Sequence, residues 1–145
     1  MDAPSLTIST GSYTIGTLQS GNLLIGTPAV TVTIQTIGAG FTLSLSGSST
    51  IQAGISQIAA WSGTTANGFG FDYTTSGSAT SKSYSGSLTK IAPTVLDTIA
   101  TGSYLGGNGN LRTYTYTIKY VAKINALQAA GVYNGNTNFN LQLQY

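Results

Sequence analysis

The chain is predicted to be all-β, with two antiparallel sheets packed as an immunoglobulin-like or jelly-roll-like sandwich. Apolar and polar residues alternate strictly over several segments, and Gly- and Asn-bearing turns separate those segments. No stretch is long enough, with helical period, to hold a helix without tertiary support.

Taken in order, Ser5 to Ile8 and residues 13–18 are short candidate strands. Val30, Val32 and Ile34 then share one face against Thr31, Thr33 and Gln35, the period-two pattern of a half-buried strand. Phe41, Leu43 and Leu45 repeat it after Gly38-Ala39-Gly40, so the two runs read as a hairpin. Residues 51–60 or 125–130 supply the one plausible short helix. Phe69, Phe71 and Tyr73 alternate after Asn67-Gly68, a dipeptide that tolerates the positive φ of a tight turn. Residues 82–88 and 95–100 are weaker candidates, and 76–87 is the most loop-like part. The longest run, 111–124, puts Tyr114, Tyr116, Ile118, Tyr120, Ala122 and Ile124 on one parity and Thr113, Thr115, Thr117 and Lys119 on the other, after the turn Gly106-Gly107-Asn108-Gly109. Residues 136–145 close the chain, with Phe139, Leu141, Leu143 and Tyr145 opposed to Asn138, Asn140, Gln142 and Gln144. That makes eight or nine strands, each with one wet face, and Phe41, Leu43, Phe71, Ile118 and Leu141 are expected in the core. Residues 1–12 read as an N-terminal extension and 13–145 as the sandwich domain.

A chain of 145 residues can bury a core without metal or disulfide. Only 6% of it is charged, against roughly 25% in an average soluble domain, while Ser and Thr fill 40 positions and Gly 19. With 41% hydrophobic residues and a net charge of +2, it belongs with folded chains and not disordered ones. Few charges leave little colloidal repulsion, so association is the default for the free monomer. The four Lys and one Arg form no basic stripe interleaved with aromatics, which argues against nucleic acid as a partner. Apolar runs are short and interrupted, so membrane insertion is not expected. The composition points to a secreted, cell-surface protein, and the lack of a leader fits a mature chain. Without Cys it carries no disulfide, and without an Asn-x-Ser/Thr sequon no N-glycan is expected.

The chain has neither His nor Glu, which removes the usual general bases and metal ligands, so neither cofactor nor catalysis is expected. Asp72 and Asp97 could form a glycosidase pair only by convergence, and their unrelated segments favour structural roles. Ser87-Leu88-Thr89-Lys90 matches a Ser-x-x-Lys motif formally, but a short β-rich chain lacks the helix and partner motifs that chemistry needs. An isopeptide bond from Lys119 or Lys123 to Asn138 or Asn140 would require burial, and parity puts all four on wet faces. Tyr114, Tyr116 and Tyr120 could present a stacking platform for a glycan, although core lining with hydroxyls at the rim fits them better. Trp61 reads as a core or lid residue.

Ala130-Gly131-Val132-Tyr133, followed by an alternating strand that ends on Tyr145, resembles the close of many fimbrial and surface β-sandwich subunits. The 30–46 hairpin is similar to secreted surface domains, and together the two cover about half the chain. The Cys pair that many such pilins carry is missing here. The resemblance implies a subunit that polymerises with itself by strand complementation, one copy supplying a strand that completes the next. The expected role is therefore a structural subunit of an extracellular filament or surface layer. A carbohydrate-binding or adhesive module and a viral capsid or fibre jelly roll are the alternatives. The candidate donor is the N-terminal segment, where Leu6 and Ile8 alternate with Thr7 and Ser9, Pro4 suits a strand start, and Gly11-Ser12 forms a joint. The candidate acceptor groove runs beside Phe139, Leu141, Leu143 and Tyr145.

Overall fold

A computed structural model describes residues 5–18, 21, 23–37, 40–62, 67–86, 88–89, 91–99, 111–125 and 128–144. Eleven strands follow one another among these residues: β1 (Ser5–Ile8), β2 (Ser12–Ile15), β3 (Leu23–Ile25), β4 (Val30–Thr36), β5 (Gly40–Gly47), β6 (Thr50–Ala53), β7 (Ser56–Ala59), β8 (Gly68–Gly77), β9 (Thr94–Thr98), β10 (Arg112–Lys123) and β11 (Tyr133–Gln144). They form two antiparallel sheets packed face to face. In the first, β10 is central, with β8 on one side and β4, then β1, on the other; β3 continues the β4 side further along β10. In the second, β11 is central, flanked on one side by β5 and β6, which lead out to β9 and β7, and on the other by β2.

Alternation sets the two faces. Tyr114, Tyr116, Ile118 and Tyr120 of β10 point inward with Val30, Val32 and Ile34 of β4 and with Phe69 and Phe71 of β8, and all are buried. From the second sheet come Phe41, Leu43, Leu45, Ile51, Tyr13 and Tyr133. The aromatic rings pack specifically: Tyr13 lies flat on Tyr120 with centroids 3.7 Å apart, and Phe41 meets Tyr114 edge-on at 4.9 Å. Two isolated bridges, Thr14 to Thr27 and Ala60 to Phe69, tie the sheets together at opposite margins. Trp61 donates its amide to the Phe69 carbonyl and is half-buried against Gly68, where a Cβ would strike the indole.

Four of the five expected core residues are buried, while Leu141 is only half-buried. The expected helix over 51–60 is instead the β6–β7 hairpin. Ile51, Ile55 and Ile58 have helical spacing, but Gly54 adopts φ +62° and folds the chain back, so Ile51 pairs with Ile58 in the core and Ile55 sits exposed at the tip. Residues 125 and 128–130 form no helix either. Segment 82–88 is no strand where described; it runs irregularly along the free side of β8, with the Phe71 amide donating to the Thr89 carbonyl and the Thr75 amide to that of Lys82. The turns expected at 38–39 and 106–109 lie outside the described residues.

Candidate subunit interface

Among the described residues, β11 has strand neighbours on both sides over its first half and on one side over its second. On one side Thr137 to Gln144 pair with Gly47 to Gly40, and Asn134 pairs with Gln52. On the other, β2 pairs with Tyr133 to Asn136, and the Thr137 amide donates to the Gly11 carbonyl at 2.9 Å. Beyond Thr137 no described strand occupies that side. Backbone directions alternate along an antiparallel strand, so the N–H and C=O groups of Phe139, Leu141 and Leu143 point the same way as those of Thr137, toward the open side.

The side chains report the same gap. Leu45, Leu43 and Phe41, directly opposite Phe139, Leu141 and Leu143, are 0–1% exposed, whereas the β11 partners are only half-buried. Across the sandwich, Leu6 and Ile8 pair with Ile34 and Val32 and so face the core, yet remain 36% and 38% exposed. The link from β1 to β2 is three residues long, about enough to cross the roughly 10 Å between sheets, so β1 and the open side of β11 border the same margin. Leu6 and Ile8 on one sheet and Phe139, Leu141 and Leu143 on the other are thus incompletely covered apolar side chains bordering one margin.

Why the chain leaves β11 at Gly11 follows from register. Continued past Gly11, the β2 pairing would set Ser9 opposite Phe139, Thr7 opposite Leu141 and Ser5 opposite Leu143, turning hydroxyls inward and Leu6 and Ile8 to solvent. Crossing to β4 instead lets Leu6 and Ile8 face the core. Leu6 and Ile8 thus share a margin with Phe139, Leu141 and Leu143 but do not pair with them within one chain. Pro4 and Tyr145, also candidates, lie outside the described residues.

The remaining candidates serve the fold. Asp72, 3% exposed, accepts from Lys82 Nζ at 2.5 Å, from the amide and hydroxyl of Ser85 at 2.7 Å each, and from the amides of Tyr73 and Gly86. Burial pushes its carboxyl up, but these hydrogen bonds outweigh burial and lower it to about 2. The carboxylate thereby pins segment 82–86 over β8. Asp97 accepts from the amide and hydroxyl of Thr80 and, at 2.6 Å, from the Tyr116 hydroxyl, whose own ionisation is pushed up by burial and by that bond. Ser87 and Lys90 lie outside the described residues. Lys119 sits over the Tyr84 ring on the first sheet and Lys123 is exposed, whereas Asn138 and Asn140 are exposed on the second, so neither of these Lys residues meets either Asn. Tyr114, Tyr116 and Tyr120 are buried and form no glycan platform.

The gap beside β11 is legible only once the partners of both its sides are known. No protein-family model matches this chain, and no curated protein or solved structure matches it.

Proposed function

We propose that the chain is a structural subunit of an extracellular filament or surface layer, a homopolymer built by β-strand donation. One observation carries the reading: among the described residues, no strand pairs with one side of the second half of β11, and its half-buried apolar row faces an apolar margin. An added strand would complete both, with backbone hydrogen bonds supplying affinity and alternate side chains supplying register. The donor is the N-terminal segment of a neighbouring copy, with Pro4, Leu6 and Ile8. A segment from another copy is not tethered to the β2 register, so it can enter one residue out of step and turn Leu6 and Ile8 inward. Every residue of β1 is exposed, so β1 leaves its own β4 at low cost. Donation also hides an edge that would otherwise pair indiscriminately. The role is non-enzymatic, since both described Asp carboxylates are occupied by structural donors.

Deleting residues 2–10 tests this. The expected product is a monomer that no longer polymerises and regains strand content when a peptide spanning Ala3 to Ser12 is added. Normal filaments from the truncated chain would overturn the reading.

A further inference from the structure

The solvent face of the second sheet carries a feature that strand donation does not use. Between Gly47, opposite Thr137, and Gln52, opposite Asn134, the β5–β6 side takes five steps where β11 takes three. The extra residues loop out at Ser48 and Ser49. Ser48 is clamped there, its amide donating to the Asn136 carbonyl at 3.1 Å and its hydroxyl accepting from the Asn136 amide at 2.7 Å. The bulge raises one wall of a 440 Å³ cup lined by Ser48, Thr50, Gln52, Gly54, Asn134, Gly135 and Asn136. That volume lies toward the lower end of the roughly 300–1,000 Å³ usual for small-ligand sites.

We infer that this cup is a binding site for a neutral saccharide. Its lining combines donors and acceptors and no charge. The one charged residue in the strands of this sheet, Asp97, points into the sandwich. Carboxamides suit vicinal hydroxyls, because each accepts through its oxygen and donates through its nitrogen. The Thr14 hydroxyl donates to Asn134 Oδ1 at 2.7 Å, orienting that carboxamide before any ligand arrives. Gln52 and Asn136 reach solvent on either side. Phosphate, sulfate and carboxylate groups find no cation among these residues to offset their desolvation, which restricts the ligand to uncharged sugars. With no aromatic face in the lining, each site binds weakly. Repetition along a filament would raise avidity, and this gain alone rests on the proposed assembly.

Saturation-transfer NMR on the full chain, with neutral oligosaccharides ending in glucose, mannose, galactose or N-acetylglucosamine and with sialylated and sulfated controls, tests the site. Transfer is expected to at least one neutral sugar and to no acidic one. Gln52→Ala with Asn136→Ala should weaken it about tenfold, as loss of two hydrogen-bonding side chains predicts. Gln52→Glu, which keeps the shape, should weaken it too, and unchanged thermal unfolding will show that each variant is folded. No transfer to any neutral sugar, equal transfer to acidic ones, or binding that survives both variants would refute the assignment. Binding by a chain that fails to polymerise would overturn the filament reading and leave this one standing.

Discussion

Leu43 and Leu141 face each other across β5 and β11, with the same chemistry and different surroundings, so truncating each to Ala measures what an absent strand is worth. Leu43 is 0% exposed and walled in on all sides. Its loss removes the transfer energy of the side chain and leaves a cavity, costing about 3–5 kcal/mol. Leu141 is half-buried beside the side of β11 that no described strand covers, where water can fill the space left behind, so in the monomer its truncation should cost about 1–2 kcal/mol. When a donated strand covers Leu141, the cost should rise toward that of Leu43, a gap of about 2 kcal/mol per subunit between monomer and filament. Guanidinium unfolding of the two variants as monomers, and dissociation of their filaments under the same denaturant, give the comparison. Equal costs for Leu43→Ala and Leu141→Ala in the monomer, or the same Leu141→Ala cost in monomer and filament, would refute the reasoning.

Asp72 sets the acid limit of the fold. Its carboxyl titrates at about 2 when folded and near 3.8 when free, so its contribution is fully present above about pH 4 and is lost as pH falls toward 2. Asp72→Asn should flatten that part of a stability–pH curve and cost about 2–4 kcal/mol at neutral pH, as measured by urea unfolding at a series of pH values; an unchanged acid limb would count against the assignment. The Tyr13 hydroxyl is buried with no hydrogen-bond partner among the described residues, and burial with the neighbouring Tyr120 raises its pKa. Tyr13→Phe should therefore stabilise the chain by about 1 kcal/mol, read as a higher denaturant midpoint, and a lower midpoint would show that the hydroxyl is satisfied.

Alternation alone determined much of this protein. The runs through Val30 to Ile34, Phe41 to Leu45, Tyr114 to Tyr120 and Phe139 to Leu143 announce strands and their inner faces, because a period of two leaves a strand one buried side. The absence of His and Glu likewise restricts the available chemistry before any folding. The sequence was ambiguous at residues 51–60, where Ile spacing suits a helix and the φ of Gly54 decides for a hairpin. It pointed to a structural role for Asp72 but not to its partners Lys82 and Ser85, which arrive only when an irregular segment folds over β8. Leu141 shows the limit most clearly: its pattern places it on the inner face, but its degree of burial depends on whether a strand lies beside β11. The cup has the same origin, since the two extra residues of its wall exist only relative to the register of the partner strand. Local pattern decides which way a side chain points, and only the tertiary pairing of distant segments decides what it meets there, because strand neighbours are chosen by contacts far apart in the chain.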